Sequence, residues 1–498
     1  MTTTTPAEIS IPHADRLYIG GEWVRPSSST TLDVIHSGTE ELFLRVPEAQ
    51  EEDVNRAVAA ARHAFDHGSW RKLSPAERAV YVRALADEIE ARTDDLARVW
   101  ATESGLLYTL AHLGIGGVSR SYRSYADLAD TYLFEEQRTP SPGVANFGLL
   151  VREPVGVVAA IIPWNGPPAL IAHKCGPALL AGCSVILKAS PEAPGAAYIF
   201  AEICDKIGLP PGVVNVLTAD RAVSELLVRH PDVDKVTFTG STVAGRRIAS
   251  LCGGRIARCT LELGGKSPAV ILDDYDVGQA AEAIASKAGF LTGQVCASLT
   301  RIIVGKDRHD DMVDALAGAF GKTKVGNQFD PASQMGPLAM RRQLERVQGY
   351  VEKGKAEGAR LATGGKQPAH LNRGFFFEPT VFGNVDNNST IGREEIFGPV
   401  LSVIPADSEE HAVEIANDTI FGLNASVFTN DPDRAYAVSR ELRSGTVGHN
   451  SFRTDFNIGF GGFKQSGLGR EGGAEGLAHF LETKTVLLDA LPSRFGSR

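Results

Sequence analysis

Val155-Gly156-Val157-Val158-Ala159-Ala160-Ile161-Ile162-Pro163-Trp164-Asn165 is an unbroken apolar run that ends in a proline and a polar turn. Its length and β-branched content read as a strand over 155–162, buried on both faces. Three more units of the same kind follow. A helix is expected over 169–181, stopped by Gly182, then a strand over 184–188 and a helix over 196–207 before Gly208. Strands over 213–217 and 235–239 alternate with helices over 222–229 and 242–252. Buried strands separated by helices imply a parallel sheet with helices on both faces.

Toward the N-terminus, residues 15–50 read as short strands and turns, including 17–19 before Gly20-Gly21. Residues 51–133 have helical spacing, and Ser74-Pro75-Ala76-Glu77 has the form of an N-cap, a proline at N1 and a capping box. Residues 135–153 carry Pro, Ser and Gly between polar runs and read as an excursion from the main body. Toward the C-terminus a second α/β stretch starts near Pro268-Ala269-Val270-Ile271-Leu272 and runs to about 463. The tail from Gly467 holds glycines, a short helix and a strand over 485–488.

The 498 residues suffice for two or three domains. Acidic side chains exceed basic ones, with a net charge of −10, which argues against nucleic acid as a general partner. Met1 to Ser10 lacks a basic segment and an apolar core, so no signal peptide is read there, and no apolar run is long enough to span a membrane. A cytoplasmic location is expected. Cys175, Cys183, Cys204, Cys252, Cys259 and Cys296 form no C-x-x-C pair and have no zinc-finger histidine spacing, so they read as free thiols with no metal site.

Four segments are candidates for chemistry. Gly467-Leu468-Gly469-Arg470-Glu471-Gly472 matches G-x-G-x-x-G but follows no βαβ strand, so it is rejected as a dinucleotide loop. Phe238-Thr239-Gly240-Ser241-Thr242 closes a strand and opens a helix, which offers free N–H groups to a phosphate or an ordinary cap at Ser241 or Thr242. Thr260-Leu261-Glu262-Leu263-Gly264-Gly265-Lys266 sets one carboxylate among apolar neighbours, either as a base of raised pKa or as a partner of Arg258. Gly293-Gln294-Val295-Cys296-Ala297 flanks a thiol with small and apolar residues, as a nucleophile site or an inert core cysteine would.

Together with Ile162-Pro163-Trp164-Asn165, Lys188, Glu394-Glu395-Ile396-Phe397-Gly398-Pro399 and Gly461-Gly462-Phe463-Lys464, these strings resemble the aldehyde dehydrogenase superfamily in order and spacing from about Leu17 onward. The resemblance implies a Rossmann-like NAD(P)-binding domain over 8–131 and 154–264. It also implies an α/β catalytic domain over 265–465 and a small β oligomerisation element made of 132–153 and 466–498. It further implies oxidation of a small-molecule aldehyde to its acid with NAD, or NADP, by a homodimer or homotetramer.

By the same resemblance, Cys296 is the nucleophile, and Asn165 with the Cys296 backbone N–H forms the oxyanion hole. Glu262 is the deacylating base, and Lys174 and Glu471 line its proton route. Glu395 is placed at the nicotinamide ribose, Phe397 at the ring, Lys188 at the adenosine ribose, and Trp164 and Ser241 at the pyrophosphate. Ile162, Pro163, Asn165, Glu192, Gly240, Glu262 and Leu263 complete the cofactor-binding set. The substrate tunnel would be lined by Gly166, Leu170, His173, Phe290, Val295, Ala297, Phe452 and Phe460. Arg258, Arg470 and Glu482 would form an ion network near a subunit interface.

The chain departs from the family pattern at three places. Three residues after Lys188, where many members place a glutamate, stands Pro191 followed by Glu192, which leaves NAD and NADP preference open. Gly166 and His173 replace bulky aromatics, which predicts a wider tunnel with one polar wall. Arg453 falls at the expected tunnel mouth, as a solvated arginine or a contact for a substrate carboxylate. Three other readings compete: a CoA-acylating semialdehyde dehydrogenase, a cysteine hydrolase without redox role, and a non-catalytic protein on this fold. Glu262 speaks against the first, and Glu395 with Phe397 against the second. Asn165, Glu262, Cys296 and Glu395 present together speak against the third.

Overall fold

In the computed structural model, residues 9 and 11–495 are described. The reading of Met1–Ser10 as lacking a signal thus falls largely outside the described residues, as does the tail beyond 495. The strand–helix alternation appears as Val157–Ile161, Pro167–Ala181, Ser184–Ala189, Gly195–Lys206, Val214–Thr218, Arg221–Arg229, Lys235–Thr239, Thr242–Gly254 and Arg258–Glu262. The five strands of this series are parallel, in the order 258–262, 235–239, 157–161, 184–189, 214–218. Leu17–Ile19 and Glu22–Val24 extend one edge, and Gly467–Leu468 pairs antiparallel with Leu261 and Glu262 at the other. The rejected Gly467 string therefore begins in an edge strand. The tail expected from 466 begins in this eight-stranded sheet, and Leu481–Leu488 alone of its strands joins another one.

The strand order reverses between Val157–Ile161 and Lys235–Thr239, which are neighbours in space but not in sequence. At such a switch the loops leaving the two strands diverge to opposite faces and open a crevice at the strands' C-terminal ends. Ile162-Pro163-Trp164-Asn165 leaves the first strand there and Gly240-Ser241 the second. The helices that cover the sheet bury an alanine-rich surface on one face (Ala97, Ala178, Ala181, Ala197, Ala201) and a second core around Val58, Leu227 and Ile248 on the other.

A seven-stranded sheet follows in the order 360–363, 380–383, 400–406, 299–305, 267–271, 424–428, 446–449, parallel except at Arg360–Thr363. Glu135–Arg138, Phe147–Pro154 and Leu481–Leu488 form a separate antiparallel three-stranded sheet, which is where the 135–153 excursion goes. Ser74 caps Pro75–Ala91 with the capping box to Glu77 in place. No helix among the described residues is long and apolar enough to cross a membrane.

Candidate active site

The crevice at the switch point is a cleft of about 400 Å³. Pro163, Trp164, Asn165, Gly240, Ser241, Leu263, Cys296, Glu395 and Phe397 line it, all of them sequence-predicted. Arg221, Thr239, Gly264, Arg342, Gln343 and Arg346 line it as well and were not predicted as site residues. Thr239 and Gly264 lie inside strings already singled out. Arg342, Gln343 and Arg346 lie in the first turns of the helix Arg341–Ala356 and carry no sequence signal of a site. Ile162, Lys188, Glu192 and Glu262 do not line this cleft. Ile162 is buried, and the Lys188 ammonium reaches the Ala219 carbonyl at 3.5 Å.

The turn after the first strand is fixed from behind: Ser104 Oγ donates to the Trp164 carbonyl at 2.6 Å and Trp100 Nε1 to the Asn165 carbonyl at 2.8 Å. The Asn165 amide Nδ2 donates to the Gln294 carbonyl at 3.0 Å, which brings it against the cysteine segment. That segment is wound left-handed at Leu291 (φ 50°), Thr292 (φ 54°) and Gly293 (φ 73°). For the two non-glycine residues this costs on the order of 1–3 kcal/mol each. The buried Thr292 hydroxyl bonds to the carbonyls of Gly336 and Pro337 at 3.0 and 3.1 Å, and Gln294 Oε1 accepts from Ala339 N–H at 3.0 Å. Side chains anchored to a neighbouring loop thus hold the strained turn that presents Cys296.

Burial, with the carboxylates of Glu262 and then Glu395 facing it, raises the Cys296 thiol, while the backbone N–H groups of Ala297 and Cys296 act in the opposite sense. A thiol so placed stays protonated until a base takes its proton. Glu262 is 2% exposed, and its Oε1 has no hydrogen-bond partner. Burial and then the Glu471 charge push its pKa well above the usual carboxylate range, opposed by Lys174, Arg470 and the Gly462 N–H. A carboxylate in that state is suited to accept a proton near neutral pH. Lys174 Nζ pairs with Glu471 Oε1 at 2.5 Å, both side chains out of solvent, and reaches the Thr237 hydroxyl at 3.4 Å.

Arg258 is not the partner of Glu262. It pairs with Glu482 across the strand edge, at the end of its strand remote from Glu262. Within the chain, Arg258 and Glu482 of the expected ion network thus pair, while Arg470 Nη1 donates to the Gly462 and Gly469 carbonyls and its charge acts on Glu262.

A second cavity, of about 880 Å³, is lined by Phe290, Val295 and Phe452 as expected, with Ser298, Ile458 and the exposed Lys287, Arg453 and Asp455. Val295 lines this cavity while its chain neighbour Cys296 lines the cleft. Ala297 and Phe460 lie in a small buried cluster with Leu423, against which Cys296, Phe452 and Phe456 pack. Gly166, Leu170 and His173 do not line the cavity. His173 is no polar wall: it is stacked behind Phe456 at 4.0 Å between ring centroids, and burial pushes its pKa down to about 3. The Cys259 thiol is brought below its usual range, chiefly by a hydrogen bond with Cys252, and does not line the cleft.

The cleft's polar groups fit a dinucleotide. The Oγ1 atoms of Thr239 and Thr242 are buried without partners beside the helix N-terminus at Ser241. Glu395 accepts from Gly265 N–H at 3.0 Å, and burial brings its pKa up to about 7. A Cβ at Gly264 would meet the Glu395 carboxylate at 2.4 Å, so the glycine is what lets that carboxylate approach the cleft floor. Phe397 is left-handed (φ 64°), stands edge-to-face with Trp164 at 5.5 Å, and is held by a bond from Gln343 Nε2 to its carbonyl at 2.6 Å.

A model of the aldehyde dehydrogenase family matches residues 23–486, and the chain belongs to that family. It is 44% identical over 481 residues to the geranial dehydrogenase of Castellaniella defragrans, covering 96% of this chain and 100% of that one. Among solved structures, a Mycobacterium tuberculosis aldehyde dehydrogenase complexed with NAD+ aligns with a TM-score of 0.92 and 43% identity, over 95% of this chain and 98% of that one. A cysteine-to-alanine variant of aldehyde dehydrogenase C from Pseudomonas syringae, complexed with NAD+ and octanal, aligns with a TM-score of 0.92 and 37% identity, over 97% and 98%.

Proposed function

We propose that this chain oxidises medium-sized or bulky apolar aldehydes to carboxylic acids with NAD, through a thioester on Cys296. The observation that carries the reading is the position of Cys296 between two cavities. It lines the 400 Å³ polar cleft, and its neighbour Val295 lines the 880 Å³ cavity with Phe290 and Phe452. The aldehyde enters through the larger cavity. Cys296 Sγ bonds to the carbonyl carbon after its proton passes to Glu262 or to water, and the Asn165 amide and the Cys296 backbone N–H receive the alkoxide oxygen. NAD bound in the cleft supplies the hydride acceptor. Collapse of the alkoxide with loss of hydride leaves the thioester. Glu262, once it has passed on any proton taken from the thiol, takes a proton from water, whose oxygen attacks the acyl carbon and releases the acid and the Cys296 thiolate. Lys174 and Glu471 carry the proton from Glu262 onward.

Pro163, Trp164, Gly240, Ser241, Leu263, Glu395 and Phe397 would hold the dinucleotide, with Lys188 behind the adenosine end. The apolar preference is supported by larger apolar groups gaining about 0.8 kcal/mol per buried CH₂. The geranial named for the Castellaniella relative and the octanal in the Pseudomonas structure point the same way. Residues 8–131 with 154–264 would form the cofactor domain, 265–465 the catalytic domain, and 132–153 with 466–498 the oligomerisation element of a cytoplasmic homodimer or homotetramer. NADH formation with a panel of aldehydes, with and without CoA, tests the reading. It requires higher kcat/KM for hexanal, citral or benzaldehyde than for acetaldehyde, and no need for CoA. The reverse order would overturn the substrate preference.

A further inference from the structure

Arg342 Nη2 and Glu192 Oε1 form an ion pair at 2.5 Å. Glu192 follows the strand Ser184–Ala189 of the eight-stranded sheet, and Arg342 lies in the first turn of the helix Arg341–Ala356, which packs in the core of the seven-stranded one. The pair therefore ties the two halves together beside the cofactor cleft. The other Glu192 oxygen accepts from the Ser190 hydroxyl, so both carboxylate oxygens are engaged. Arg342 lines the cleft, as does Arg221. Glu192 lines instead an adjoining cavity of about 440 Å³, which Arg342 also borders. The guanidinium thus stands at the junction of the two spaces, with the carboxylate drawn to the far side.

The resemblance puts the adenosine ribose at Lys188, on which the Glu192 charge acts, so this arrangement bears on what the ribose meets. A carboxylate facing the ribose accepts from a 2′-hydroxyl and repels a 2′-phosphate. Here Pro191 has no acceptor, and Glu192 is turned to Arg342 and Ser190. The Arg342 side chain is 58% exposed, so its pair with Glu192 is weakly held. A dianionic phosphate offers a guanidinium two parallel charge-assisted bonds, which compete well with such a pair. Arg221 adds a second positive charge to the cleft lining.

We propose that Arg342 forms a 2′-phosphate subsite that lets this chain accept NADP beside NAD: it holds Glu192 off the ribose and, on exchange of partners, receives the phosphate. The proposal rests on the reading of the 400 Å³ cleft as the dinucleotide site. Calorimetric titration of the full chain with ADP-ribose and with 2′-phospho-ADP-ribose tests both and separates them. The wild-type chain is expected to bind the two ligands with comparable Kd. Arg342→Ala should lower the affinity ratio of phosphorylated to unphosphorylated ligand at least about fivefold, and Glu192→Gln, which frees the guanidinium, should raise it. Added salt should weaken the phosphorylated ligand more steeply in the wild type than in Arg342→Ala. A smaller drop in Arg342→Ala, or wild-type binding of the phosphorylated ligand weaker by more than about a hundredfold, overturns the subsite. Failure of wild type to bind ADP-ribose would overturn the reading of the cleft itself.

Discussion

Lys174 Nζ and Glu471 Oε1 pair at 2.5 Å with neither side chain open to solvent, and their two charges act on Glu262 in opposite directions. Glu471 raises the Glu262 pKa and Lys174 lowers it. Glu471→Gln should therefore shift the acidic limb of the kcat–pH profile, where protonation of Glu262 removes the base, to lower pH, and Lys174→Met should shift it to higher pH. A pair with a merely structural role would move neither limb. Lys174→Met also strands a buried carboxylate, a loss of about 3–5 kcal/mol, so its Tm should fall below that of Lys174→Met/Glu471→Leu.

His173 makes an acid-stability prediction. Its folded pKa is held down at about 3 against 6.5, by burial first and the Lys174 charge second. Below pH 6.5 the unfolded chain binds a proton that the folded chain refuses. The stability contribution is whole above that pH and is lost as pH falls toward 3, at up to about 1.4 kcal/mol per unit. The Tm of His173→Phe should fall less steeply between pH 6.5 and 5 than that of the wild type. Parallel curves would contradict a neutral buried imidazole.

Gly166 has room for a side chain. An added Cβ would lie 3.9 Å from Trp100 Cζ2 and 4.0 Å from Leu170 Cδ1, and its φ of −141° suits any residue. If the missing side chain widens the approach to Cys296, Gly166→Val should lower kcat/KM for citral relative to acetaldehyde by at least about tenfold. An unchanged ratio would show that the 880 Å³ cavity alone sets selectivity.

Two cysteines should behave oppositely. Cys259 is the more acidic thiol yet sits at the far end of its strand from Glu262, packed on the core near Cys252. Cys259→Ala should keep its activity, whereas Cys296→Ala should lose it while still binding NAD. Activity loss in Cys259→Ala with wild-type Tm would contradict the assignment.

Much of this was legible in the sequence because the crevice is built from strand ends, and strand ends are what apolar runs stopped by Pro or Gly reveal. Lys235–Thr239 has the bounds read from its sequence, and Ser74 and Glu77 form the cap their spacing implies. What escaped depends on packing between segments far apart in the chain. Arg342, Gln343 and Arg346 belong to no motif in the sequence, and only the docking of the two sheets brings them to the cleft. Arg258 and Glu262 are close in sequence, but they occupy opposite ends of one strand and take different partners. His173 reads as a polar wall until Phe456 stacks over it.

The most direct test of the central claim is the mass of Glu262→Gln after one turnover with hexanal and NAD. Glutamine keeps the shape of Glu262 and cannot take a proton from water, and a general base is worth about 10²–10⁴-fold. The account predicts a burst of about one NADH per chain, slow steady turnover, and an intact-protein mass increase of one hexanoyl group that maps to Cys296. Wild-type steady turnover with no adduct on Cys296 would contradict it.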